Sequence, residues 1–287
     1  MIFEKKNFSK ELFKNLKNYK KYIIENKIDK KLNIDIKKYG NIKKKTQQNQ
    51  YYTVAKKIKN PFPAELDDLC RLYYLVISRK VNTILEFGVG KSTVVFNYGL
   101  IENQIKFKNY VNQNLRIPNS FLCFSLDSFK SWVKKVKSEY KLKNVKFHIS
   151  GLSMDKFNGR ICTFYNKLPD ICPDLIYLDG PDLYSPKGNI NGITTKGLDR
   201  LPMAGDILLI EHFLLPGTLI VVDGRTANAR FLKCNLQRDW IYCHDVKNDQ
   251  HFFELCEEPL GMYNEKQIKH CLGRNYFQRL KAIRSQK

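Results

Sequence analysis

The chain has 287 residues, 43% of them hydrophobic, which is ordinary for a globular protein and enough for one large domain with an extension, or two small domains. Fifty basic against 28 acidic residues leave a net charge of +22, unevenly spread: residues 1–60 hold 18 lysines, no arginine and 5 acids, a balance of +13, and the other 227 residues carry +9. The eight cysteines are scattered with no C-x-x-C pair, which argues against a disulfide or zinc framework and fits a reducing cytoplasm.

The chain opens on Met1-Ile2-Phe3-Glu4-Lys5-Lys6, which leads into charge and not into a secretory signal. Phe8, Leu12, Leu16, Tyr19 and Ile23 recur at three- and four-residue spacing and predict one amphipathic helix over 8–26. Such a stripe docks on its parent domain, on the second copy of a homodimer, or on a membrane surface as a peripheral contact. Residues 27–60, rich in Lys, Asn and Gln, read as a linker or a loosely packed connection. The basic arm has the charge to meet nucleic acid or an anionic membrane. Lysine outnumbers arginine 39 to 11, however, which is the bias of an AT-rich coding sequence, whereas arginine is the better bidentate phosphate ligand.

Asn60-Pro61-Phe62-Pro63 marks a boundary, and a helix follows over 64–78, with Glu65, Asp67 and Asp68 at its positive end. Beyond it strands and helices alternate. Strands are expected at 83–87, 121–126, 145–149, 175–178 and 218–222, and helices at 92–100, 130–140, 204–213 and 227–236. Residues 101–119 read as a polar, irregular insertion. Two closing strands, 240–246 and 251–256, are joined by a Lys-Asn-Asp turn as an antiparallel hairpin. A basic tail, helical in part, ends the chain. The apolar stretch from Ile207 to Val222 is broken by Glu211, His212, Pro216 and Gly217 and does not read as a membrane span. The organisation expected is a basic helical extension and linker over 1–60, a domain over 61–263 and a basic tail over 264–287.

The first strand runs into Glu86-Phe87-Gly88-Val89-Gly90-Lys91-Ser92-Thr93, a strand, a tight turn and a helix start. Glycines there let backbone N–H groups approach a ligand. Gly90-Lys91-Ser92-Thr93 looks like the end of the phosphate loop of an NTPase, but that loop needs a glycine five residues before Gly90, and Leu85 stands there. Later strands end in Asp127, Asp179 and Asp223, carboxylates at the edge where an open α/β sheet binds its ligand. A single such Asp is common at a turn; the set argues for a site. Residues 180–203, with four glycines, form a loop long enough to act as a lid over an acceptor.

Acid-x-Gly-x-Gly after the first strand, carboxylates after the later ones and the closing hairpin together resemble the class I S-adenosylmethionine (SAM) methyltransferases, over about residues 64–260. The resemblance implies an α/β, Rossmann-like class I methyltransferase fold: a seven-stranded, mostly parallel sheet with an antiparallel closing strand, plus the N-terminal helical extension. It implies a SAM site at Glu86, Gly88, Gly90, Ser92 and Asp127, with Asp127 on the ribose hydroxyls, Glu86 near the cofactor's amino group, and Gly151-Leu152-Ser153 near the adenine. Leu178-Asp179-Gly180 followed by Asp182-Leu183-Tyr184 resembles the macrocin-type sugar O-methyltransferases, with Pro181 as an extra residue. That implies a divalent metal such as Mg²⁺ on Asp179 and Asp223, although Gly224 replaces that family's next ligand and Arg225 follows as a cation. Asp179 is the first candidate for catalytic base or metal ligand and His212 the second; His148, inside a strand, reads as structural. The activity expected is O-methylation of a sugar or other small polar metabolite. The alternatives are an RNA methyltransferase docking through the basic arm, a P-loop NTPase, and a non-enzymatic module with a vestigial SAM fold.

Overall fold

The computed structural model describes residues 1–34, 65–197 and 200–286. Most of the expected linker and the Asn60–Pro63 boundary lie outside the described residues. Ten strands are described: β1 Ile2–Glu4, β2 Thr83–Phe87, β3 Leu122–Asp127, β4 Val145–Ile149, β5 Leu152–Phe157, β6 Arg160–Tyr165, β7 Leu175–Leu178, β8 Leu219–Asp223, β9 Trp240–Asp245 and β10 Gln250–Leu255. The helices are α1 Phe8–Leu12, α2 Tyr19–Glu25, α3 Ile28–Lys31, α4 Leu66–Ser78, α5 Lys91–Asn114, α6 Lys130–Glu139, α7 Asp206–Ile210 (continued by a 3₁₀ turn, Glu211–Phe213), α8 Thr226–Asn235, α9 Gly261–Cys271 and α10 Arg274–Arg284.

Eight strands form one sheet in the order β1-β9-β10-β8-β7-β2-β3-β4. Strand β10 is antiparallel to both neighbours and every other pair is parallel. Seven of these strands match the expected sheet, and the antiparallel strand sits beside β8, as the closing hairpin implied. The eighth corrects the count: Ile2–Glu4 pairs in parallel with Trp240–Tyr242, and the amino group of Met1 donates to the carbonyl oxygen of Gln237. A three-residue edge strand is too short to show a period of two.

Side chains alternate cleanly across the sheet. Ile84, Cys123, Tyr177, Val221 and Phe252 enter a core shared with α4, α5 and the N-terminal segment. Leu85, Phe124, Ile176, Ile220 and Phe253 enter a second core with α7, α8 and the β5–β6 hairpin.

The single helix expected over 8–26 is two short helices. Asn18 caps α2, its side-chain oxygen accepting from Lys21 N at 3.0 Å, and such caps favour a helix start over a helix interior. The stripe faces inward, with Phe8, Leu16 and Ile23 buried and Leu12 and Tyr19 partly buried against the same core. Residues 28–31 of the expected linker form α3. The expected insertion at 101–119 is another correction, because α5 runs unbroken to Asn114. Asn103 is fully buried there, its amide donating to the carbonyls of Val76 and Val81, both at 2.9 Å. The β5–β6 hairpin was not expected at all. Among the described residues no helix is long and apolar enough to cross a membrane.

Candidate functional site at the strand ends

The chain runs β2, β3, β4 toward one side of the sheet, then crosses to β7 and β8 on the other. The reversal opens a crevice between β2 and β7 at the carboxyl ends of the strands, the usual ligand position in such a sheet. The turn after β2 lies in it. Gly88 has φ +105°, a conformation that disfavours side chains. A Cβ there would stand 3.3 Å from the backbone of Asp179 and Gly180, and one on Gly180 would stand 3.1 Å from Gly88 N. The turn is therefore pressed against the end of β7.

Asp127 clasps the turn from the other side. One carboxylate oxygen accepts from Val89 N at 2.8 Å and the other from Phe129 N at 2.7 Å. Only 5% of the residue is exposed, and burial raises its pKa above the ordinary value against those backbone donors. A carboxylate has about four acceptor positions, and with the Ser128 amide also acting on Asp127 some of that capacity remains for a ligand. Gly90 leaves open space around its Cα, the nearest atom to an added Cβ being Ser92 Oγ at 3.9 Å. These features fit SAM.

Glu86 is fully buried, below the turn rather than in the crevice. It accepts from Ser92 Oγ at 2.5 Å, Thr93 Oγ1 at 2.7 Å and Ser125 Oγ at 2.5 Å, and so ties β2 to β3 and to the start of α5. Burial pushes its pKa up to about 7, against the lowering effect of the three hydroxyls. Ser92 is spent on the same cluster. Lys91, the first residue of α5, has its pKa lowered by burial while Glu139 acts to raise it.

Asp179 stands exposed at the end of β7, next to the cis Gly180–Pro181 peptide. Asp223, at the end of β8, accepts from the Tyr177 hydroxyl at 2.8 Å. Among the described residues no group of three or more His, Cys, Asp or Glu side chains is gathered as a metal site. With Asp223 holding a tyrosine and Gly224 offering no ligand atom from a side chain, this edge does not fit a carboxylate-bound metal.

His212 is a correction. It lies on the 3₁₀ turn that precedes β8, 3.4 Å from Gln237 Oε1. The adjacent Phe213 carbonyl accepts from Cys172 Sγ, just before β7. Both neighbours belong to segments that enter strands, so His212 stands at the amino edge of the sheet, opposite the aspartates. The physical reason is that α7 runs antiparallel to β8 and carries its last residues away from the crevice. His148 lies on edge strand β4 beside the Phe124 ring, consistent with packing.

The hairpin brings residues that the sequence did not single out. Tyr165, 5% exposed, has its ring tilted against that of Phe87 with centroids 5.9 Å apart, and its N–H donates to Asp206 at 2.8 Å. Asp206 is pushed up to about 7 by burial, and its second oxygen is buried without a partner. No motif marks either residue; only the folded hairpin places them together. The 180–203 loop is strapped to the same hairpin, with Lys187 donating to the carbonyl of Leu152 and accepting from Met154 N, both through its backbone. Gly151, at the start of the hairpin, follows Ser150, whose N–H donates to the Asp127 carbonyl.

A separate cleft of about 420 Å³ lies between α1, the end of α4 and the last two helices, lined by Lys5, Lys14, Tyr74, Arg79, Asn275 and Arg279. It opens away from the strand ends, and both its arginines hold Glu254.

No protein-family model matches the chain, and no curated protein matches it. Among solved structures, the S-adenosylhomocysteine (SAH)-bound methyltransferase PaMTH1 of Podospora anserina is similar at a TM-score of 0.40 and 12% identity, over 73% of this chain and 87% of that one.

Proposed function

We propose that the chain is a SAM-dependent methyltransferase that transfers a methyl group to a hydroxyl of a saccharide or other small polar metabolite. The observation that carries this reading is the clasp of Asp127 on the Gly88–Gly90 turn, set at the switch point of a sheet with an antiparallel strand inserted beside β8. Bound SAM supplies an electrophilic methyl carbon on a sulfonium, with a neutral thioether as leaving group. Gly88 and Gly90 would let the turn's backbone lie against the cofactor, and the remaining acceptor capacity of Asp127 would take its ribose hydroxyls. With the cofactor held there, Asp179 and Pro181 at the end of β7 would border the acceptor, and alignment would supply most of the rate. Asp179 is exposed at that point and takes the hydroxyl proton as general base. Glu86 acts one layer below, holding the turn in shape, and no step passes through a metal or through His212.

Calorimetry with SAH is the test. Wild type should bind SAH saturably, and Asp127→Ala, checked for folding by its circular dichroism melt, should bind about tenfold or more weakly, the worth of a charge-assisted hydrogen bond. A wild type that ignores SAH, or a folded Asp127→Ala that binds as wild type does, would sink the proposal.

A further inference from the structure

Arg225 follows β8 and occupies the cap position of α8, a ten-residue helix with no side-chain cap on its first amides. The guanidinium is buried, with only 7% of the residue exposed. Nη2 donates to the carbonyl oxygen of Pro181 at 2.6 Å, which holds the group in the wedge between the ends of β7 and β8. Nη1 is buried and donates to nothing. The guanidinium also lies close enough to the Tyr165 phenol to act on its titration, although burial, Asp127 and Asp206 outweigh it in the other direction.

This pairing differs from that of the other buried arginines. Arg71 holds Asp245, and Arg79 and Arg279 together hold Glu254. Among the described residues Arg225 has a backbone carbonyl as its partner and no carboxylate. A buried cation with an unused donor is unfavourable unless something anionic meets it. The uncapped end of α8 adds positive potential at the same place.

We propose that Arg225 and the amino end of α8 form an oxyanion site that holds a carboxylate or phosphate of the acceptor. The acceptor class is then a hydroxyl compound that also carries a negative group: an acidic sugar, a sugar phosphate or a hydroxy acid. This rests on the methyltransferase reading for the word acceptor, but the anion site itself does not. Arg225 holds the Pro181 carbonyl beyond β7 and β8, while Asp127 clasps the turn between β2 and β3. A fixed anion at Arg225 turns the molecule so that one hydroxyl faces Asp179, which gives the site its regiospecificity.

The test titrates inorganic phosphate and, separately, acetate into the full chain, with and without SAH, for wild type, Arg225→Lys and Arg225→Met. Wild type should bind one of the anions saturably, Arg225→Met about tenfold or more weakly, and Arg225→Lys in between, with SAH affinity the same in all three. Phosphate preferred over acetate points to a phosphorylated acceptor, and the reverse to a carboxylate. A wild type that binds neither anion overturns the proposal without recourse to any variant. A folded Arg225→Met that binds anions as wild type does also overturns it. So does a loss of SAH affinity in step with anion affinity, since Arg225 would then serve the cofactor's own carboxylate. Anion binding through Arg225 in a protein that never binds SAH would uphold the site and sink the methyltransferase reading, so the two failures are distinct.

Discussion

Glu86 separates what a motif says from what its residues do. The acid-x-Gly-x-Gly pattern correctly marks the turn, but the resemblance puts the acid near the cofactor, whereas the fold spends it on Ser92, Thr93 and Ser125. No sequence spacing reports that, because Ser125 arrives from a neighbouring strand. A pH effect follows. Glu86 ordinarily titrates at 4.5 and is pushed to about 7 by burial, so the folded state holds a proton that the unfolded state has lost. Its stabilisation is full below 4.5, falls as pH rises through that window, and is gone above about 7, a difference on the order of 3 kcal/mol. Asp206, pushed to about 7, and Asp174, pushed to about 6, act with the same sign. Urea midpoints measured from pH 5 to 8 should therefore drop for wild type and drop less steeply for Glu86→Gln. Parallel slopes would show that Glu86 is ionised throughout.

At the scale of elements, legibility followed apolar periodicity and failed where other forces shape the chain. The five parallel strands expected after residue 80 are all present: β2, β7 and β8 are buried on both faces and read as near-continuous apolar runs, whereas the edge strand β4 shows instead the alternation of Val145, Phe147 and Ile149. The second half of α5 has little such pattern; good helix formers such as Glu102, Gln104 and Lys106 extend it, and buried Asn103 fastens it to the end of α4. The β5–β6 hairpin did leave a trace. Asn158-Gly159, with both residues at positive φ, is a strong two-residue turn signal that the strand–helix alternation masked. The closing strand β10 was legible as half of a hairpin, but its fastening was not. Glu254, fully buried in the middle of the sheet, receives Arg79 from the end of α4 at 2.8 Å and Arg279 from α10 at 2.6 Å. The two cations hold its pKa below the ordinary value, against the effect of burial. Removing the carboxylate strands two buried guanidinium groups, so Glu254→Gln should lose about 3–5 kcal/mol in equilibrium urea unfolding. A loss under 1 kcal/mol would mean that the arginines find water instead.

The N-terminal segment is part of the core of the whole molecule. Helix α4 is buried along nearly its full length, including Asp67, Asp68 and Arg71, which a helix covered on one face alone would leave to solvent. The sheet covers one side of it and residues 8–34 the other. The Phe13 ring lies 5.9 Å from that of Tyr74, the Arg71 guanidinium packs 3.7 Å from the Phe13 ring, and Lys31 Nζ donates to the Tyr73 hydroxyl at 2.8 Å. Strand β1 covers the edge of β9, which would otherwise expose its backbone. Phe8, Phe13, Leu16, Ile23, Ile28 and Leu32 are each at most 8% exposed. At about 2 kcal/mol for each buried large side chain, their loss is comparable to the whole stability of a typical domain. A chain lacking residues 1–34 should therefore fail to show a cooperative urea transition, and SAH should not rescue it at concentrations that saturate the full chain. If the truncated chain melts cooperatively and binds SAH, the segment is a detachable arm after all, and its lysines are free to serve a partner. Under the core reading, residues 1–34, with 10 lysines and 4 acids, carry only part of the positive charge and have to stay docked. Salt should then change solubility and non-specific binding of the full chain while leaving its SAH affinity little altered.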